Sequence, residues 1–125
     1  MPAKIFLIED DLSMQALLQT YLQFEGFEVT LQNKEENLEE VIENIRRAAP
    51  DVVLLDVFLP QINGFDLLAG MREDPELKEM RVVMSSGMDF NERCLKVGAN
   101  GFILKPYFPD DLLKIIRRAL GNEEI

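Results

Sequence analysis

Four short stretches of this 125-residue chain end an apolar run on groups that could do chemistry. Ile5-Phe6-Leu7-Ile8 leads through Glu9 to Asp10 and Asp11, and Val52-Val53-Leu54-Leu55 closes on Asp56. Val82-Val83-Met84 meets Ser85 and Ser86, and Gly101-Phe102-Ile103-Leu104 meets Lys105. Carboxylates gathered at one point lift one another's pKa unless a cation sits among them. A hard ion meets that need, since Mg2+ takes oxygen ligands, commonly one or two carboxylates, waters and a phosphate oxygen. A lysine and a hydroxyl opposite suit an incoming phosphoryl group. Any single Asp after a strand is as readily a turn residue; the set together points to metal-assisted phosphoryl chemistry.

Composition narrows the setting. Lys and Arg number 13 against 23 Asp and Glu, a formal charge of −10, which repels nucleic-acid backbones and anionic membranes. With no histidine, histidine-based catalysis and histidine metal sites within the chain are excluded, and the single Cys94 excludes an internal disulfide. Cys94 reads as a small packing residue. At 47% hydrophobic residues the chain can build a core, and its length fits one domain over residues 1–125, with a core of about 4–120 and a short acidic tail at 121–125. Met1-Pro2-Ala3-Lys4 enters the first apolar run directly, neither a secretory signal nor a membrane span, so a cytoplasmic protein is expected.

For those strand ends to meet, the elements must alternate. Ile5–Ile8 and Val52–Leu55 are continuous apolar runs, as strands covered on both faces should be. Phe27–Leu31 alternates and suits an edge strand. Met14, Leu17, Leu18 and Tyr21 predict one helical face closed by Gly26; Leu38, Val41, Ile42 and Ile45 predict a second, ending before Pro50. A third helix is expected over about 65–73, with Gly70 inside it, a weak fourth over 91–97 ending at Gly98, and a fifth opened by Pro109 with Leu112, Leu113, Ile116 and Leu120 facing inward. Glu35, Glu36, Glu39, Glu40 and Glu43 read as a solvated face of the second helix. Five strands alternating with five helices mean an α/β parallel sheet with helices on both faces, and ligands at the carboxyl ends of the strands.

The chain resembles the receiver domain of two-component response regulators. The resemblance spans nearly all of residues 4–120 and rests on Ile8-Glu9-Asp10-Asp11, Leu54-Leu55-Asp56 with Leu59-Pro60 and Asn63-Gly64, Met84-Ser85-Ser86-Gly87, and Lys105-Pro106. It implies a flavodoxin-like, doubly wound sheet in strand order 2-1-3-4-5. It also implies Asp56 as phosphoacceptor, Asp11 as a direct Mg2+ ligand, Asp10 holding a coordinated water, and the carbonyl of Phe58 completing the protein's share of the metal shell. Ser86 would be the switch hydroxyl, with Gly87 leaving room beside it and Phe102 following the switch. Lys105 would pair with a phosphoryl oxygen across a cis bond to Pro106. The implied partners are a histidine kinase or histidine phosphotransfer protein, and a downstream target or the regulator's own effector domain, with phosphorylation-dependent dimers a further family habit. The chain's end at Ile125 fits a stand-alone receiver or a piece of a longer regulator.

Two departures from the family pattern stand out. Phe58, two residues after the acceptor, and Met88, two after Ser86, are apolar, so neither can orient a hydrolytic water. The Ser86–Lys105 stretch is about three residues short, which removes roughly one turn from the fourth helix. Other readings fit less well. An aspartyl-phosphate hydrolase places a second acid where Phe58 stands, so turnover is not expected. A flavodoxin-like cofactor site needs a glycine-rich loop where Asp10 and Asp11 stand. A receiver-like interaction module that is never phosphorylated is the alternative the residues leave open.

Overall fold

In this computed structural model, residues 2–32 and 37–121 are described. Glu35, Glu36 and the tail at 122–125 lie outside the described residues. The apolar runs form five parallel strands, β1 (Lys4–Ile8), β2 (Glu28–Leu31), β3 (Val52–Asp56), β4 (Arg81–Ser86) and β5 (Gly101–Leu104), in the order β2-β1-β3-β4-β5. Five helices connect and close them: α1 (Leu12–Phe24), α2 (Leu38–Ala48), α3 (Gly64–Glu73), α4 (Asn91–Val97) and α5 (Pro109–Ala119). This is the flavodoxin-like arrangement expected, with α4 only seven residues long. Among the described residues no helix is long and apolar enough to cross a membrane.

Side chains on a strand alternate between faces, so the sheet feeds two cores. Phe6, Ile8, Val53, Leu55, Val82 and Met84 pack with α2, α3 and α4. Ile5, Leu7, Val52, Leu54, Val83 and Ile103 pack with Leu18 and Leu22 of α1 and Leu112 and Ile116 of α5. Every residue of β3 is buried, because it lies at the centre of the sheet. The register pairs Ile8 with Leu55, Asp56 with Ser85, and Ser86 with Leu104. That brings the strand ends to one edge.

Two local expectations change, and Gly70 acquires a specific neighbour. On α1 the buried pair is Leu18 and Leu22, four residues apart, and Leu17 is 55% exposed. Leu17 is one residue from Leu18, about 100° around the helix, which turns it to solvent. Glu43 is not simply solvated, since it pairs with Arg46 and Arg47 on its own helix. Gly70 has a packing reason: a Cβ there would stand 3.1 Å from Ile42 Cδ1 of α2. Gly64 is under tighter constraint, since a Cβ would lie 2.4 Å from the carbonyl oxygen of Asp56, a distance backbone cannot yield. The small residue lets α3 begin directly beneath the end of β3.

Candidate functional site

Strand alternation selects the residues that meet at the sheet edge. Leu7, Leu54, Val83 and Ile103 all belong to the core on the α1/α5 face. Two residues further along each strand direction stand Glu9, Asp56, Ser85 and Lys105. The α1/α5 face thus changes from apolar to polar in one step across four neighbouring strands, and these four side chains meet. Lys105 Nζ lies 2.7 Å from Asp56 Oδ1 and 3.0 Å from Glu9 Oε1. The Ser85 hydroxyl donates to the same Asp56 Oδ1 at 2.7 Å. Asp56 and Glu9 are 5% and 6% exposed, so their charges are largely out of water.

Burial and the neighbouring Asp56 push the Glu9 carboxyl above its ordinary range, against the pull of Lys105 and of the Asp11 N–H. Burial alone would lower Lys105, but the hydrogen bonds and charges of Asp56 and Glu9 more than offset it and the ammonium is held above its usual value. Tyr107, beside the cluster, is pushed up to about 12, chiefly by burial.

Glu9, Asp10 and Asp56 each place a carboxylate oxygen within 4.8 Å of the others. The donors are all hard oxygens, and one ammonium among three carboxylates leaves the ionised cluster short of positive charge. That donor set fits a divalent cation of the Mg2+ class. Asp11, expected as a direct ligand, is not part of this grouping. Its carboxylate instead caps α1, accepting from the Met14 N–H at 3.0 Å. The reason is geometric: once the helix starts at Leu12, residue 11 takes the N-cap position and its side chain turns to the orphan amides. Glu9, and not Asp11, stands with Asp10 and Asp56 in this cluster.

Ser85 reads from the sequence as a strand-end hydroxyl without an assigned role, and it too belongs to the cluster. The signal for it is parity: Asp56 pairs with Ser85 in register, and partners in a parallel ladder share a face. Ser86 has the parity of Met84 and is buried at 4% exposure; its hydroxyl accepts from the Met88 N–H at 3.1 Å in a local turn. Gly87 opens on free space. The Lys105–Pro106 bond is cis. Phe102 is half-buried and packs on the core of the α2–α4 face.

Phe58 is 56% exposed, and its ring meets Phe90 edge-on at 5.7 Å. Phe90 meets Phe65 at 5.6 Å, and the Arg93 guanidinium lies 4.1 Å over the Phe65 ring. This chain of rings ties the loop after Asp56 to the start of α4, whose N-cap residue, Phe90, makes no side-chain cap. Met88 is exposed on the adjoining loop. The turn back to α3 is secured by Asn63, whose side chain accepts from the Phe65 N–H at 2.8 Å. Cys94 is fully buried on α4, and burial pushes its thiol up to about 11.

Comparison with known proteins agrees with this geometry. The response regulator receiver domain matches residues 5–117. The nitrate/nitrite response regulator protein NarL of Escherichia coli is 32% identical over 127 residues, covering 99% of this chain and 57% of NarL. The chain spans about half the length of the curated relatives it matches. The chemotaxis response regulator CheY4 of Vibrio cholerae superposes with a TM-score of 0.83 at 28% identity, over 96% of this chain and 100% of that one. A CheY-like receiver domain protein from Methanospirillum hungatei gives 0.83 at 27% identity, over 97% and 95%.

Proposed function

The chain belongs to the response regulator receiver domain family, and from that membership in two-component signalling we propose that it is a phosphoacceptor switch with Asp56 as the acceptor. The observation that carries this is the convergence of Lys105 and Ser85 on one oxygen of a buried Asp56 inside a carboxylate cluster. Two donors on Oδ1 leave Oδ2 to attack. The donor would be the phosphohistidine of a histidine kinase or a histidine phosphotransfer protein. Its P–N bond breaks as a bond forms between phosphorus and Oδ2, and the nitrogen keeps the electron pair.

Such a transfer asks the protein mainly for positioning and charge compensation. Glu9, Asp10, Asp56 and the Phe58 carbonyl would hold a divalent ion, which when bound neutralises the charge gathered on the phosphoryl group. Lys105 can swing from Oδ1 to a phosphoryl oxygen. The phosphoryl group adds about −1.5 to −2 charges, and Ser86 can meet it only by leaving its turn with Met88. That exchange of partners supplies two loop states for phosphorylation to bias. Phe58 stands where a hydrolase would carry a second acid, so the reading is a switch that assists its own labelling and slow loss of label, without turnover. A downstream target or an effector domain of the same protein would read the state of the loop.

The test is labelling with acetyl phosphate and Mg2+, followed by mass measurement before and after hydroxylamine. One phosphoryl group that hydroxylamine removes is expected, absent from Asp56→Asn and from wild type in EDTA. Labelling that persists in Asp56→Asn removes Asp56 from this role. A wild type that takes no label at all favours the second reading, an interaction module built on the receiver fold.

A further inference from the structure

We infer that Ser85 is a hydrogen-bond donor to the leaving carboxylate of phosphorylated Asp56 and shortens the lifetime of the phosphoryl group. The inference rests on the reading of Asp56 as acceptor. It begins with two donors on one atom, the Ser85 hydroxyl and Lys105 Nζ, each 2.7 Å from Oδ1. They differ in what they can do once a phosphoryl group is on Oδ2. Lys105 reaches across on a flexible stem and can turn to the new charge. Ser85 is short and is fixed in β4 by the ladder to β3 and β5, so it remains on Oδ1.

The bond that remains changes in strength through the reaction. In the free acid Oδ1 belongs to a carboxylate and the bond is charge-assisted; in the acyl phosphate Oδ1 is a neutral carbonyl oxygen, and such a bond is roughly half as strong. During hydrolysis water's oxygen joins phosphorus and the bond from phosphorus to Oδ2 breaks. Oδ2 leaves with the electron pair, and both protons of the water depart with inorganic phosphate. The transition state is loose, so most of the negative charge has already returned to the carboxylate, and Ser85 regains its strong bond there. The hydroxyl thus stabilises the transition state more than the acyl phosphate, which accelerates loss of the label.

Sequence position does not announce this role, because Ser85 precedes the residue that reads as the switch hydroxyl. Only the pairing of Asp56 with Ser85 on the α1/α5 face places the donor. A small cavity lined by Ser85, Asp56, Tyr107 and Leu112 lies beneath it, so Ser85→Ala could admit a water as a substitute donor. The informative pair is Ser85→Thr and Ser85→Val, which have nearly the same shape and differ in the hydroxyl.

Each protein is labelled with acetyl phosphate and Mg2+, freed of donor, and followed by the decay of hydroxylamine-labile phosphate, with thermal unfolding recorded beside it. Ser85→Thr should decay within about twofold of wild type, and Ser85→Val about fivefold more slowly than Ser85→Thr. Equal decay in the two variants overturns the role of Ser85 while leaving Asp56 as acceptor intact. Slow decay in both overturns it equally, since bulk and not the hydroxyl would then be responsible. Failure of wild type itself to take label at Asp56 overturns the acceptor reading, and this inference falls with it. If Ser85→Val does not fold, Ser85→Cys takes its place: a thiol fills the same space but donates weakly, so decay should again be slower than in Ser85→Thr, and equal decay overturns the role.

Discussion

Asp74, just past the end of α3, and Glu9, just past β1, each lie against a cation, Arg46 and Lys105 respectively. Their carboxyls nevertheless move in opposite directions. Asp74 is held below its ordinary value, first by the hydrogen bond from Arg46 and then by backbone N–H groups such as that of Glu76 at 2.8 Å. Glu9 is pushed above its ordinary value by burial and by Asp56. At the Asp74 end Arg46 also meets Glu43 and the well-exposed Glu76, so water and several partners share the charge. At the Glu9 end one ammonium is shared between two buried acids that repel each other. The first network secures α2 to the segment after α3. The second is left short of positive charge, and that deficit is what a divalent ion or a phosphoryl transfer can use.

Removing the shared cation should produce the largest effect on this contrast. Lys105→Met leaves Glu9 and Asp56 buried without an ammonium and should cost about 2 kcal/mol in urea unfolding at neutral pH without divalent ions. The same change should tighten Mg2+ binding, because a competing positive charge has gone. An unchanged unfolding midpoint would show that water already compensates these acids.

The next test separates the two aspartates after β1. Asp10→Asn should weaken Mg2+ binding about tenfold, roughly 1.4 kcal/mol. Asp11→Ala should leave it within about twofold, yet cost about 1 kcal/mol of stability through the lost cap of α1. Titration calorimetry with unfolding on both variants decides it; the reverse pattern would restore Asp11 to the metal site.

A smaller effect is expected at the rim. Phe58 offers no hydrogen bond to a hydrolytic water, and its contact with Phe90 gives the ring a fixed resting place beside the acceptor loop. Phe58→Asn should speed decay of the phosphorylated protein severalfold, about 1 kcal/mol of barrier. Equal decay rates would assign control of hydrolysis elsewhere, with Ser85 the first candidate.

The smallest effects are those of pH, and they have opposite signs in the two networks. Asp74, lowered when folded, contributes stability above its unfolded value of 3.8 that is lost as pH falls through the depressed folded value. Arg46→Met should therefore lose a little stability at pH 7, less in high salt, and nothing at the acid extreme. Glu9, raised when folded, contributes stability below its unfolded value of 4.5 that is lost as pH rises through the folded value. Glu9→Gln should accordingly be more stable than wild type at neutral pH without divalent ions and no more stable below about pH 4. Chemical denaturation across pH measures both, and matching slopes in the two variants would erase the contrast.

Much of this molecule is legible from residue order, because the signals are local. Apolar runs, alternation at β2, Asn63-Gly64 and Pro109 mark the strands, the turn and the start of α5 without reference to any distant contact. The carboxyl-edge placement of Asp56 and Lys105 follows from parallel strands alone. What the sequence does not contain is how far each end projects past the sheet and which helix claims which acid. Helix α1 starts at Leu12 and takes Asp11 for its cap, which leaves Glu9 for the cluster. The ladder between β3 and β4 pairs Asp56 with Ser85 and puts Ser86 on the opposite face. Leu17 is apolar and at helical spacing, yet only the lie of α1 on the sheet turns it outward. Residue types determined the available chemistry. Register and helix phase, which depend on contacts between segments far apart in the chain, decided which oxygen, hydroxyl and ammonium meet.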